Sequence, residues 1–248
     1  MFPIINIGPL AIQAPGMILL IGMWGGLILA EKYLDRDIIE SKKFNNLVFL
    51  SLISGIIGAR LFYVIQYLEI FIRNPLSILS INPNLLDIWG GIICAILAGL
   101  IYGNKNGLKL RNTLDAITPM LAVLLISISL AHLASGSHFG IPTSLPWGIK
   151  LWGKTRHPVQ IYFIIAETII LFLLWPGRQF ITKLQPGVYF LLFILITSAV
   201  HLFFSSFHAE SSPIIYGFRG EQFIYWIIMA ACFYGLKKLG DQSIGQLD

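Results

Sequence analysis

Residues 128–140, ISLAHLASGSHFG, place two imidazoles and three hydroxyls in the middle of an otherwise apolar chain. Ser129, His132, Ser135 and Gly136 fall three or four apart, so in a helix they share one face. Polar side chains in hydrocarbon are costly unless they meet one another or line a wet cavity. This face is therefore expected to point into the protein. Two further stripes carry similar chemistry. His157, Gln160 and Glu167 are spaced by three and seven, and Ser198, His201, Ser205 and His208 form a similar stripe. Arg60 sits inside an apolar run, and Arg156 precedes His157.

Each of these groups also has a purely structural reading. An ionisable side chain at membrane depth is functional by default because it is expensive to keep there, yet Arg60 and Glu167 can instead pair and hold helices in register. His157, beside Pro158 at a helix start, can cap or anchor a loop. His138 and His208 read as interfacial and solvated, Tyr63 and Tyr162 as boundary aromatics, and Asp115 with Pro119 as the beginning of a helix.

The elements that must hold these residues are membrane helices. Hydrophobic residues make up 56% of the chain and charged ones 12%, whereas a soluble domain carries roughly a quarter charged residues. The fold class is all-α and integral to the membrane, one domain without internal repeats. A net charge of +5 is explained by basic loops on the cytoplasmic side and calls for no nucleic-acid partner. Cys94 and Cys232 lie in apolar runs and read as small core residues, and no Cys/His spacing suits zinc or an iron–sulfur cluster. The first sixteen residues lack a basic n-region, so no removable signal peptide is expected.

A spanning helix needs about 20 mostly apolar residues. Seven runs qualify, at about 16–34, 47–67, 85–102, 113–135, 158–175, 187–206 and 221–239. Lys32, Arg36, Lys42, Lys43, Lys105, Lys109, Arg111, Arg178, Lys183, Lys237 and Lys238 fall on one side, against Arg73, Lys150, Lys154, Arg156 and Arg219 on the other. The positive-inside rule then puts the N-terminus outside and the C-terminus in the cytoplasm. The long loop 136–157 comes out on the outer side, with Trp147 and Trp152 at the membrane–water boundary.

Several motifs, in this order, give the chain a likeness to a known family: INIGPLAIQAPG at the start, GARLFYV in span two, Asn74–Leu76, DIWGGIICA in span three, LDAITPML with Asp115 and Pro119, RHPVQIY at Arg156–Tyr162, and Glu221–Gln222 at the entry to the last span. Over nearly its whole length the chain resembles the bacterial prolipoprotein diacylglyceryl transferase family. The resemblance implies a seven-helix box around a lipid-accessible cavity in the bacterial inner membrane. It also implies transfer of diacylglyceryl from phosphatidylglycerol to the thiol of a lipobox cysteine on a preprolipoprotein, with no cofactor. Such a site needs donors on the lipid phosphate and a base for the thiol. On this chain His132, Glu167 and His157 are the candidates for catalysis. Arg60, Arg156, Gln160, Tyr162 and Ser129 are the candidates for holding lipid and phosphate.

The chain also departs from the family pattern. Laid on 128–140, the signature Gly-Arg-x-(Gly/Ala)-Asn-Phe-x-Asn-x-Glu-x-x-Gly is matched only at Ala131 and Gly140. Ser129 stands at the arginine, His132 at the first asparagine and Ser137 at the glutamate. Trp89 replaces the histidine before Gly90-Gly91, Pro15 a tyrosine, and Phe163 the glutamate after the HPVQIY run, with Glu167 one turn further on. The arginine near the end of span six falls on Ser205. Exchanging a guanidinium for a hydroxyl removes a full charge and a bidentate fork. Three readings stay open: a transferase with a rebuilt, divergent site; a non-catalytic relative that binds lipid or a partner; and a cofactor-binding or proton-relaying subunit of a membrane complex, in which His132 and His201 face each other.

Overall fold

The computed structural model describes residues 4–7, 10–79, 85–209, 213–215 and 218–244. The chain divides into two compact units, a larger one of Met1–Tyr33 with Leu114–Asp248 and a smaller one of Leu34–Thr113. Before the first helix, strands β1 (Ile4–Ile7) and β2 (Leu10–Gln13) form an antiparallel hairpin. Much of the INIGPLAIQAPG motif falls on residues whose side chains lie outside the described ones.

In the smaller unit α2 (Ser41–Gln66) packs along α4 (Ile88–Lys105), with a short α3 (Leu68–Arg73) and a 3-10 turn (Pro75–Leu79) between them. The contact is a seam of small residues. A Cβ on Gly58 would meet Cys94, one on Gly90 would meet Phe62, and one on Gly91 would meet Ala59. Lipid tails are as apolar as the helices, so close backbone approach at such residues is what makes the pair adhere. Asp87 caps α4 by accepting from Gly90 N at 2.5 Å, which satisfies a donor the helix leaves open.

The larger unit contains α1 (Ala14–Lys32), the greater part of α5 (Leu110–Ser135), α6 (Val159–Leu173), a one-turn α7 (Gln179–Thr182), α8 (Val188–Ser205) and α9 (Gly220–Ile244). Gly22 and Gly26 of α1 lie so close to α5 that a Cβ would meet Ser127 and the backbone of Met120. The α8 helix packs on both α6 and α9. Ala122, Ile170, Leu174, Ile181, Tyr189 and Phe193 form a buried cluster drawn from α5 to α8.

Among the described residues six helices are long and apolar enough to cross a membrane, in agreement with six of the seven expected spans. The fifth run forms a helix of 15 residues, ended before Pro176 and Gly177. Pro158 is its N-cap rather than its first helical residue.

Asp115 does not begin α5 as the sequence suggests. The helix starts at Leu110, and the Asp115 carboxylate reaches the start of α8. There Oδ2 accepts from Gly187 N at 2.6 Å and Oδ1 from Phe190 N at 2.8 Å. A side chain remote in sequence thus supplies the cap that α8, with a left-handed Gly187 (φ 94°) as its N-cap residue, lacks locally. Asp115→Ala is expected to cost about 1–2 kcal/mol, a typical cap loss, and Asp115→Asn to recover about half. The unfolding midpoint in detergent is the measurement.

Candidate functional site

All five histidines of the chain lie in the larger unit, and four are brought into one chain of ring contacts. The segment after α5 makes this possible. Gly136 (φ 76°) ends the helix in the left-handed conformation glycine tolerates, and the chain then runs between two other segments. On one side Ile141 N donates to Phe207 O (2.9 Å) and Ala209 N to Phe139 O (3.0 Å). On the other His157 N donates to Ile141 O and Thr143 N to Thr155 O, each at 3.0 Å. Gly140 sits where a Cβ would strike the His157 carbonyl, which gives this matching position of the family signature a steric reason. Beyond it, β3 (Ile149–Leu151) and β4 (Lys154–Arg156) form a hairpin whose two central residues, Trp152 and Gly153, both have positive φ, the geometry of a tight two-residue turn.

This stitching lays His138 (φ 53°) flat on His132, with ring centroids 3.8 Å apart and 6° between planes. His208 stands edge-on to His138 at 5.9 Å. Phe163 of α6 packs against His208 at 5.6 Å and His201 at 4.6 Å. His132 and His201 therefore belong to one cluster, but the ring stacked on His132 is His138. His138 is exposed, as the sequence suggests, whereas His208 is half-buried and its Nε2 is shut off from solvent without a hydrogen-bond partner.

Burial, with the positive potential of His138, Arg219 and His201, pushes the His208 imidazole down to about 4. Its value in an unfolded chain is near 6.5. Between these values the unfolded chain binds the extra proton, so stability is complete above about pH 6.5 and falls toward pH 4. The loss reaches up to about 3 kcal/mol, and His208→Gln is expected to flatten it. The pH dependence of the unfolding midpoint reads this out.

A second group lies between α6, α8 and α9. Glu167 is 3% exposed, with Oε1 3.7 Å from His201 Nε2, and His201 Nδ1 is 3.3 Å from the Tyr225 hydroxyl. Glu167 Oε2 and the neighbouring Gln160 Oε1 are buried without a hydrogen-bond partner, while Gln160 Nε2 donates to Ser137 O at 2.7 Å. Phe163, at the position of the family glutamate, is an apolar wedge against both imidazoles.

His157 and Tyr162 form the third group. The Tyr162 hydroxyl accepts from Trp147 Nε1 at 2.9 Å and lies 3.3 Å from His157 Nδ1. With Leu145, Phe203, Phe204 and Phe207 these three residues line an open, aromatic-walled hollow of about 400 Å³, within the usual range of small-ligand pockets.

The two arginines expected at a phosphate both donate to backbone carbonyls. Arg60, in the smaller unit, donates to the carbonyls of Ile78 (3.0 Å), Leu85 (2.8 Å) and Ser77 (2.5 Å). Arg60 and Glu167 fall in different units, and each has partners within its own. Arg156 donates to Leu151 O and Gly140 O, both at 3.2 Å, with its guanidinium 4.6 Å over the Phe139 ring. Ser129 is 6% exposed and Ser127 is bonded back to Val123 O. The α5 hydroxyls thus face inward as expected, and Ser127 spends its bond on its own helix. Trp89 lies 71% exposed on α4. Arg219, by sequence a loop charge, places its Nη1 on the carbonyls of Ser205 and His208. Among the described residues no group of three or more His, Cys, Asp and Glu is arranged to hold a metal ion.

Comparison with known proteins bears on what this arrangement is for. The model of the family described as prolipoprotein diacylglyceryl transferase matches residues 3–236. A phosphatidylglycerol–prolipoprotein diacylglyceryl transferase of Pseudomonas fluorescens (strain Pf0-1) is 32% identical over 179 residues, covering 68% of this chain and 66% of that protein. The protein of the same name from Pseudomonas fluorescens strain Pf-5 is 33% identical with the same coverage. That of Pseudomonas putida strain F1 is 31% identical, over 68% of this chain and 67% of that protein. The matched stretch spans about two thirds of the length of these relatives, just under that for the first two. With a match along nearly its whole length and multiple apolar helices, this multi-pass membrane protein belongs to the prolipoprotein diacylglyceryl transferase family.

Proposed function

We propose that the protein transfers diacylglyceryl from phosphatidylglycerol to a lipoprotein cysteine thiol, with imidazole and carboxylate groups standing in for the family's arginine, asparagine and glutamate. The observation that carries this reading is the buried Glu167 against the half-buried His201, joined through Phe163 and His208 to the stacked imidazoles. Ionisable groups are costly at membrane depth and are kept where they work. The sulfur attacks the glycerol carbon that bears the phosphate. The S–C bond forms as the C–O bond breaks, glycerol phosphate leaves with the bonding electrons, and the thiol proton passes to an imidazole.

In this reading His132 is the base, and Glu167 with His201 forms the buried acid–base pair. Gln160 fixes the 136–138 turn through Ser137 O. His157 and Tyr162 mark the polar edge of the aromatic hollow, which suits an acyl chain. Arg60 and Arg156 act as latches on backbone rather than as phosphate ligands. The seven-span arrangement includes α6 as a span, with the N-terminus outside and the C-terminus cytoplasmic, in the bacterial inner membrane. A 15-residue helix reaches only about 22 Å, so locally thinned bilayer around α6 is part of the reading.

A second reading, a non-catalytic lipid- or partner-binding relative, is favoured by the engagement of Arg60, Arg156 and Arg219 with carbonyls. Purified protein with labelled phosphatidylglycerol and a lipobox peptide decides between them. Thioether-linked diacylglyceryl peptide by mass spectrometry is the result expected. Co-purified phospholipid without any such product would establish the second reading instead.

A further inference from the structure

The contact of His201 with Glu167 uses one nitrogen of the imidazole, Nε2. The other nitrogen, Nδ1, lies against a phenol from a different helix. We infer that Tyr225 is a positioning residue for this pair. Its hydroxyl donates to His201 Nδ1 and so fixes the tautomer in which Nε2–H faces Glu167. This rests on the transferase reading, in which Glu167 and His201 are the acid–base pair, and adds the group that poises them.

Three helices meet at this one ring. The α8 helix packs on both α6 and α9. His201 of α8 touches Phe163 of α6, with centroids 4.6 Å apart and 34° between planes, and Tyr225 of α9, at 5.3 Å and 40°. These contacts limit the tilt of the imidazole but not the choice between its two flips. A half-turn about Cβ–Cγ exchanges Nδ1 with a ring carbon of nearly the same size, so polar partners make that choice. Glu167 Oε1 lies 3.7 Å from Nε2, and the Tyr225 hydroxyl lies 3.3 Å from Nδ1. A flipped ring would present C–H groups to both, and polar atoms left without partners in an apolar interior are costly.

The tautomer follows from what each group can donate. With Glu167 ionised, its oxygens only accept, so the nitrogen facing it carries the hydrogen. Nδ1 is then a bare lone pair and accepts from the phenol. The hydrogen bond at one imidazole nitrogen thereby sets the state of the other. A proton taken up by His201 lands on Nδ1. The phenol, which can both donate and accept, then turns its own hydrogen away and accepts from Nδ1–H. The imidazole gains one proton, the tyrosine keeps its own, and the contact survives in both states. A phenylalanine at 225 would fill the same space and offer neither role.

The test uses the full chain with nitrogen-labelled histidine in phosphatidylglycerol nanodiscs. Nuclear magnetic resonance reads the tautomer of His201, whose signals are identified by their loss in His201→Gln. The wild type is expected to carry its proton on Nε2, with Nδ1 as a hydrogen-bond acceptor. Tyr225→Phe is expected to shift the Nδ1 resonance and to mix the tautomers. It should also lower kcat about five- to tenfold, the worth of one hydrogen bond, with KM for phosphatidylglycerol and a lipobox peptide and the unfolding midpoint nearly unchanged. A wild-type proton on Nδ1 overturns the proposal, and this reading needs no variant to fold. An Nδ1 resonance that ignores Tyr225→Phe overturns it too, as does a kcat that stays at the wild-type level. A fall in kcat matched by a fall in the midpoint would make Tyr225 a helix clamp and overturn it as well. Wild-type protein that shows the expected tautomer and transfers nothing would overturn the transferase reading and leave the hold of Tyr225 on His201 standing. Transfer by a protein with the opposite tautomer would do the reverse.

Discussion

Glu167→Gln is expected to lower diacylglyceryl transfer about a hundredfold or more while leaving the unfolding midpoint nearly unchanged. The carboxyl group is 3% exposed, its nearest basic partner is the His201 imidazole at 3.7 Å, and Oε2 is unbonded. Removing a carboxylate from water costs several kcal/mol, and one long contact to an imidazole does not repay that cost. An amide of the same shape keeps the packing against α8 and removes the charge, so stability should hold or rise by about 1 kcal/mol. Function should respond differently. The carboxylate is the group that can orient and charge His201, whose other nitrogen is 3.3 Å from the Tyr225 hydroxyl. Losing an acid–base partner costs about 10²–10⁴ in rate. Wild-type turnover in Glu167→Gln would mark the pair as a helix clamp. A loss of several kcal/mol in the midpoint would show that it is kept for stability.

The second large effect belongs to Arg60. Arg60→Met should destabilise the protein by about 3–5 kcal/mol, because three carbonyls between Ser77 and Leu85 lose their charge-assisted donor at once. Arg60→Lys should recover only a minor part, since one ammonium on a flexible stem does not match the reach and fork of a guanidinium. Arg156→Ala, which frees the carbonyls of Leu151 and Gly140, should cost about 1–2 kcal/mol. Unfolding midpoints in detergent, with limited proteolysis across 74–87, give the ranking. An Arg156 effect larger than that of Arg60 would contradict it. If Arg60 held phosphate instead, Arg60→Met would keep its midpoint and lose bound phospholipid.

The family resemblance carried the helical outline well, because membrane helices advertise themselves. Runs such as 113–135 and 187–206 need only be long and apolar, and their ends are marked by Gly136, Gly187 and the prolines around 158 and 176. The grouping of Gln160 with Glu167 on one face of α6 was legible from helical period, and so was the burial of Ser129. The end of α6 is legible too: the helix runs Val159–Leu173 within the expected 158–175, stopped ahead of Pro176 and Gly177. Asp115 was misread. A carboxylate that caps another helix 72 residues away has the same local sequence as one that caps its own.

Composition, helical period and motif order determined by themselves that this chain is a membrane protein with inward-facing imidazoles and a family fold. Those signals are local, written in neighbours one to seven residues apart. Which groups meet was decided only by the tertiary structure: His138 on His132, Glu167 with His201, and Arg219 on the end of α8. His138 folds back on His132 from only six residues away because the chain turns at Gly136, while the hydrogen bonding of the 139–143 segment to both 155–157 and 207–209 gathers the more distant rings.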